Sequence, residues 1–274
     1  MRMAEIENYI DSLLARGRGA FSRDEALAAL AIKPDALTAM ITRQIAKRRL
    51  ANPRQEFYLI LRPEDRIAGA PEPARWINPL MEHLKTDYRV SLLRAAALHG
   101  ASHQASMTFQ VIAPKQFRPI IIGRHRLEFI YQAPKAFIAV NKPEWLSQLK
   151  TEAGFAKAAG VELTLLDCIR YYPKAMGIGG VAQITKDIGG LADPRKLHMA
   201  AVQYENTAVR RLGYLLELAG HHRLAEALKP FVLKANKAVP LNPSVKVLAE
   251  SLSSDYERNE TWQLDLNETV EYDS

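Results

Sequence analysis

The sequence predicts an α+β protein in two parts. A small basic module of helices and one hairpin stands ahead of a larger mixed domain, with strands early and helices late. Three observations carry this. Helical periodicities fill residues 4–47 and give way to two strand-like runs before residue 62. The stretch RPEDRIAGAPEPAR (62–75), with three prolines among small and charged residues, marks a break. Beyond it strand candidates crowd between 109 and 141, and helical patterns dominate from Ala153 onward.

The module reads element by element. From Ala4 to Ala15, Ile6, Tyr9, Ile10, Leu13 and Leu14 recur at helical spacing, and Gly17 and Gly19 end the run. Ser22 with Glu25 three residues on forms a capping box, in which each residue satisfies a backbone N–H of the other. A short helix from Asp24 to Ala31 follows, burying Ala26, Leu27 and Leu30. Pro34 suits the first turn of a third helix. That helix runs to about Lys47, with Leu37, Met40, Ile41 and Ile45 inward and Asp35, Thr38, Ala39, Thr42, Arg43 and Ala46 outward. RRLA and EFYLIL then read as strands around the turn Asn52-Pro53-Arg54-Gln55. Three short helices and a two-stranded wing predict a winged helix-turn-helix domain over residues 1–66.

Charge gives this module a function. The chain is formally +7, but residues 250–274 hold eight acids against Arg258; that segment is −7, and the other 249 residues carry +14. Arg43, Lys47, Arg48, Arg49 and Arg54 fall within twelve residues that contain no acid. In a winged helix the third helix enters the major groove while basic groups at its end and on the wing grip phosphates. Lys47, Arg48, Arg49 and Arg54 are therefore the expected phosphate clamp, and Thr38, Thr42 and Arg43 the expected base readers. Lys33, just ahead of the helix, completes the expected DNA-binding set. Winged helices also dock proteins, and basic groups at a helix end complement its dipole, so a scaffold role stays open.

Residues 67–75 are assigned as linker, 76–249 as the α+β domain and 250–274 as an acidic tail. Helices are expected at Trp76–Leu84 and Val90–His99; FQVIAP (109–114), PIIIG (119–123) and RLEFIYQ (126–132) are strands of a small, mainly antiparallel sheet. AFIAVN (136–141) is a further strand candidate. The helical C-terminal half comprises Leu163–Arg170, Val181–Ile188, Pro194–Tyr204, Thr207–Leu218 and His222–Phe231. The acidic tail, with Tyr256 and Trp262, either folds back on the basic body as a mimic of DNA or stays unstructured.

Enzymatic and membrane classes are set aside. No apolar run approaches the ~18 residues of a spanning helix, and the N-terminus lacks a secretory core. One cysteine, Cys168, excludes an internal disulfide and a cysteine-cage zinc site and favours a cytoplasmic location. On an apolar helix it reads as packing. GIGGVA (177–182) has the glycine spacing of a dinucleotide turn but follows a helix end, so a loop between helices is expected and no cofactor. His99 and His103 are four apart, yet Gly100 breaks the helix between them, so His99 is expected on a backbone group and no metal site is assigned. His221-His222-Arg223 reads as a solvated turn. Arg210 and Arg211 begin a helix where the dipole disfavours them, which calls for a paired acid or an anion. With Lys115, Arg118, Arg124 and Arg126 they are candidates for a second basic face.

Three stretches in order, with the winged helix ahead of them, carry a resemblance. The stretch YRVSLLRAAALHGASHQASMTFQVIAPKQFRPIIIG (88–123), with LTLLDCIRYY (163–172) and NTAVRRLGYLLELAG (206–220), resembles AbiEi-type antitoxins, and the winged helix ahead of them agrees. The similarity runs to about Phe231; the acidic tail matches no pattern. The resemblance implies a non-enzymatic antitoxin of a type IV toxin–antitoxin pair in abortive phage defence. It implies repression of a shared promoter at inverted repeats, by a stable dimer or by cooperative monomers. The implied partner is an AbiEii-type nucleotidyltransferase toxin, opposed by the larger antitoxin domain without a stable complex. Direct docking to the toxin, with the winged helix as scaffold, is the alternative.

Overall fold

The computed structural model describes residues 2–101, 108–151, 154–245 and 257–272, with side chains from Glu5 onward. The chain opens with α1 (Arg2–Ala15), β1 (Ala20–Ser22), α2 (Arg23–Leu30), α3 (Pro34–Ala46), β2 (Leu50–Arg54) and β3 (Phe57–Ile60). There follow α4 (Asp65–Ala68), α5 (Ile77–His83), β4 (Arg89–Val90), α6 (Leu92–Leu98), β5 (Thr108–Ala113), β6 (Ile120–Ile122) and β7 (His125–Tyr131). Next are α7 (Pro134–Val140), β8 (Leu146–Thr151), β9 (Gly154–Ala159), α8 (Val161–Arg170) and α9 (Gly177–Ile188). The chain closes with α10 (Pro194–Ala201), α11 (Asn206–Leu218), α12 (His222–Leu228), β10 (Val239–Pro240), β11 (Arg258–Asn259) and β12 (Leu264–Asp265). Two compact units result: Met1–Val90 with Met107–Pro134 and Gln148–Lys157, and Ser91–Ser106 with Lys135–Ser147 and Ala158–Ser274.

In the first unit, the inward stripe of α1 (Ile6, Ile10, Leu13) meets Phe21, Leu37, Met40 and Tyr58 in one core. Each fully buried side chain of this size stabilises by about 1.5–3 kcal/mol. Strand β1 pairs with β3 and β3 with β2, all antiparallel, in the order β1-β3-β2. The hairpin turn falls at Gln55-Glu56, later than the expected Asn52–Gln55, and Glu56 takes the left-handed conformation at φ 59°. The Asn52 amide is the reason. It donates to the carbonyls of Arg54 (2.8 Å) and Phe57 (2.9 Å), across an irregularity in the pairing that carries β2 from Ala51 on to Arg54.

Residues 62–75 hold a helical turn, α4, and a partly buried ion pair between Arg75 Nη1 and Asp65 Oδ1 at 2.9 Å. The expected small antiparallel sheet is larger and mixed. Six strands run β6-β7-β5-β4-β9-β8, and β5 pairs with β7 in parallel from Thr108↔Arg126 to Ala113↔Tyr131. The β6–β7 hairpin occupies the other side of β7, so β7 runs alongside β5 instead of against it. Strands β8 and β9 were missed because GFAKAA is alanine-rich, a composition that favours helix.

In the second unit, AFIAVN is helix α7, not a strand. Pro134 starts it, and Phe137 and Val140, three apart, are buried while Ile138 is exposed. Residues of the first two motif stretches, Ser91, His99 and Asp167, are tied down here. Ser91 donates to Asp167 (2.7 Å), Tyr204 donates to the other Asp167 oxygen (2.7 Å), and the His99 ring donates to the Ala159 carbonyl (2.8 Å). Asp167 lies on α8, a helix buried on nearly every side, so its carboxylate needs these donors. Cys168 beside it is wholly buried, and burial pushes its thiol pKa up. GIGGVA forms the first turns of α9 and not a loop. A Cβ on Gly180 would come within 2.6 Å of the Ala175 carbonyl, so that glycine serves close packing.

The described part of the acidic tail, residues 257–272, is folded. Strand β12 pairs with β10 in parallel and with β11 antiparallel. Trp262 is fully buried against Gly213 of α11, and its indole N–H donates to Glu217. Glu250, Asp255, Tyr256 and Asp273 lie outside the described residues, as does His103.

Candidate nucleic-acid interface

The candidate surface is the outer face of α3 with the chain that leaves it. Helix α2 positions it. The capping box is present: Ser22 Oγ accepts from the Glu25 N–H (3.2 Å), and Glu25 Oε2 accepts from the Ser22 N–H (2.8 Å). Arg23, next in sequence, donates to Thr38 Oγ1 (2.9 Å) and to the Pro34 carbonyl (3.0 Å), tying the start of α2 to the first turn of α3.

On α3, Leu37, Met40 and Ile41 are buried, while Asp35, Thr38, Ala39, Thr42, Arg43 and Ala46 face solvent. Ile45, expected inward, is 39% exposed; Gln44 is buried in its place and donates to Glu7 Oε1 at 3.2 Å. The Thr38 hydroxyl is held between Arg23 and the Pro34 carbonyl, and the Thr42 hydroxyl donates to the Thr38 carbonyl (2.9 Å). Both hydroxyls are fixed in direction. Arg43 is exposed and makes no ion pair among the described residues. The same holds for Lys33, the residue capping α3, where the helix dipole disfavours a cation.

The cations beyond α3 divide sharply. Lys47 pairs with Glu7 (3.2 Å); Arg49 pairs with Asp11 (2.8 Å) and Glu7 (3.5 Å). Glu7 is held below the usual carboxylate range by the Gln44 hydrogen bond and by Lys47. Arg54 is turned onto the sheet of its own unit. Its guanidinium donates to the Arg118 carbonyl (2.7 Å) and lies 5.9 Å from the Phe129 ring centroid, and burial lowers its pKa. The hairpin tip is held as well, since the His83 ring donates to the Gln55 carbonyl at 3.2 Å. Among the described residues Arg48 alone of the expected phosphate clamp is exposed without an ion pair, in the left-handed conformation at φ 53°.

The structure therefore keeps Lys33, Thr42, Arg43 and Arg48 on open surface, and engages Lys47, Arg49 and Arg54 elsewhere. Glu7 and Asp11, four apart on α1, were the legible sign of that engagement. Arg23 was missed, because its role depends on how α2 meets α3.

For the second basic face, Lys115, Arg118, Arg124 and Arg126 are exposed in the first unit. Arg210 and Arg211 are not part of any such face. Arg210, 2% exposed, donates to the Lys237 and Gln263 carbonyls (3.2 and 3.0 Å), and Arg211, 9% exposed, donates to the Pro240 carbonyl (3.1 Å). Neutral carbonyls in and beside the C-terminal strands β10 and β12 supply the partner that an acid or anion was expected to give. Among the described residues no cluster of histidine, cysteine and acidic side chains could hold a metal ion, and no helix is long and apolar enough to cross a membrane.

No curated protein matches the chain. The crystal structure of the RV2827C protein from Mycobacterium tuberculosis superposes with a TM-score of 0.65 at 14% identity, covering 95% of this chain and 90% of that one, which shows a shared fold. Residues 89–218 match the family described as the AbiEi antitoxin C-terminal domain, the span that contains Ser91, Asp167, Tyr204 and the helix of Arg210, Arg211 and Gly213. Through that domain the chain is an AbiEi-type antitoxin.

Proposed function

We propose that this antitoxin is also a DNA-binding repressor, with residues 1–66 as a winged helix-turn-helix and α3 as the helix that enters the major groove. The element order α1-β1-α2-α3-β2-β3 and the antiparallel pairing β1-β3-β2 support this reading. One observation carries it: α3 presents an open face bearing Thr42 and Arg43, flanked by Lys33 and Arg48, cations without an ion pair among the described residues. Small residues on that face, Ala39 and Ala46, allow close approach to base edges, and Arg43 suits the two acceptors of guanine. Such a protein occupies inverted repeats in its own promoter and so sets the level of itself and its toxin. The toxin, on the family resemblance, is an AbiEii-type nucleotidyltransferase of a type IV pair. Residues 76–249 serve as the antitoxin domain.

The test is fluorescence anisotropy of the full chain on its own promoter and on a scrambled duplex, for the wild type and for Arg43→Ala. The wild type should prefer the promoter. Arg43→Ala should narrow that preference by about 1–3 kcal/mol while leaving scrambled-duplex binding close to wild type. Equal wild-type affinity for both duplexes would defeat the repressor reading.

A further inference from the structure

We infer that the DNA backbone is gripped by Arg48, Arg66 and Arg124, which line one cleft bounded by the end of α3, β2, α4 and the β6–β7 turn. The inference rests on the DNA-binding reading above and replaces the grip expected of Lys47, Arg49 and Arg54.

Charge is the first ground. The cleft is about 610 Å³, and among the described residues its wall contains three guanidinium groups and no acid. Arg48, Arg66 and Arg124 are each exposed, and none makes an ion pair among the described residues. Gathering like charges without a counter-charge is unfavourable, and an anion relieves it. Guanidinium is suited to the task, since its fork of donors matches two phosphate oxygens at once.

Construction is the second. Arg66 and Arg124 are 58 residues apart in sequence and are brought together by a backbone clasp. The Arg124 N–H donates to the Ala68 carbonyl at 2.8 Å. Gly69 (φ 78°) and Gly123 (φ 55°) meet so closely that a Cβ on Gly123 would lie 1.9 Å from the Ala68 oxygen. A Cβ on Gly69 would lie 2.8 Å from Gly123 Cα. Only glycine satisfies both the conformation and the approach. The clasp fixes the turn that carries Arg124 against the end of the helix that carries Arg66, so little ordering remains to be done on binding.

Continuity is the third. A groove of about 350 Å³ between α3 and the hairpin is lined by Thr38 and Thr42, and it shares Ile45 and Asn52 with the three-arginine cleft. A strand whose bases meet α3 is thereby led past Ile45 to the arginines. Ile45 in turn has a reason for its exposure: it forms the floor between reading face and grip.

The experiment uses the full chain with Arg66→Ala/Arg124→Ala, titrated against promoter and scrambled duplexes over a range of salt. Each lost phosphate contact removes about 0.9 from the slope of log K against log salt, so the double variant should lose about 1.8. At about 0.15 M salt that is roughly 30-fold in affinity, by the same factor on both duplexes. Lys115→Ala/Arg118→Ala, outside the cleft, should change far less, and Arg66→Lys/Arg124→Lys should retain most of the salt slope. Thermal unfolding of each variant checks that the fold is kept. A double alanine variant that binds as tightly and with the same slope as wild type overturns the cleft assignment and leaves the repressor reading standing. Loss confined to the promoter duplex overturns it too, because phosphates are common to both. Salt-independent binding, or none, by the wild type overturns both readings together.

Discussion

Arg48 and Arg49 are adjacent in sequence and should respond oppositely to substitution. Arg49 is about a quarter exposed and bridges Asp11 at 2.8 Å and Glu7 at 3.5 Å. An exposed ion pair contributes ~0.2–1 kcal/mol, and one cation shared between two acids belongs near the top of that range. Arg49→Ala should therefore cost about 1 kcal/mol of stability, a shift of a few degrees in Tm. Its effect on DNA should be small. The charge is already compensated by two carboxylates, and whatever field remains is screened over about 8 Å at physiological salt.

Arg48 reverses both expectations. It has no acid partner among the described residues, so its removal releases no buried charge and breaks no bond. It sits at φ 53°, where a side chain costs ~1–2 kcal/mol that glycine avoids, and the flexibility glycine adds to the unfolded chain offsets part of this. Arg48→Gly should leave Tm unchanged or slightly raised. A single lost phosphate contact lowers affinity by about 5-fold at 0.15 M salt and about 15-fold at 0.05 M. Thermal unfolding and duplex titration at both salts, on the same two preparations, resolve the pair. If Arg49→Ala weakened DNA binding as much as Arg48→Gly while keeping its Tm, the division of cations by partner would be wrong.

Two further outcomes follow from local geometry. Gly213→Ala should destabilise despite a gain in helix propensity of about 1 kcal/mol. The new methyl would fall 2.1 Å from the Trp262 ring, and displacing a buried tryptophan costs about 3–5 kcal/mol, so urea unfolding should show a net loss and a more exposed indole by fluorescence; a stabilised variant would refute the packing. Glu25 supplies a pH signature: burial works to raise its pKa, but the Ser22 N–H and Arg18 outweigh this and the carboxyl lies below its ordinary value. A depressed folded pKa stabilises above the unfolded value, about 4.3, and that stability is lost as pH falls through the folded one. Glu25→Gln should thus melt below wild type at pH 7, with the two Tm values converging in acid; a gap that persists there would rule the mechanism out.

What was legible in the sequence was what is decided within a few residues. The Ser22–Glu25 box, Pro34 at the head of α3 and the stripe Ile6–Ile10–Leu13 each declare themselves over one or two helical turns. Phase is less secure: a drift of one position exchanged Ile45 for Gln44, because a buried glutamine with a partner on α1 looks polar in isolation. AFIAVN satisfied strand and helix spacing alike, and a run so short cannot choose. Arg210 and Arg211 were read as wanting an anion, since backbone carbonyls up to 53 residues away leave no charge in the sequence to signal them. Arg54 failed for the same reason, its acceptor being the Arg118 carbonyl.

These cases sort the basic residues by a single criterion, whether an acceptor of the same unit already satisfies the cation. Lys47 and Arg49 are met by the acids of α1, Arg54 by a carbonyl and a ring, and Arg210 and Arg211 by the edges of the C-terminal strands. A count of positive charge treats all of them alike, and so overstates what a polyanion meets. Other exposed cations of the first unit, among them Lys85, Lys115, Arg118 and Arg126, also make no ion pair among the described residues and line neither groove; Lys33, Arg43, Arg48, Arg66 and Arg124 are the ones that gather around α3 and its cleft. Arg48, Arg66 and Arg124 share one cleft, and Lys33 and Arg43 bracket the face of α3 that opens into the neighbouring groove. On the proposed reading, the phosphates of DNA complete the charge of that cleft. The polar chemistry of the antitoxin domain runs the other way: Ser91, Asp167, Tyr204, Arg210 and Arg211 are all spent on internal bonds. Ser91 and Asp167 of the family-matched span thus hold a fold together, and on the proposed reading recognition of DNA falls to residues ahead of that span, with Arg124 alone from within it.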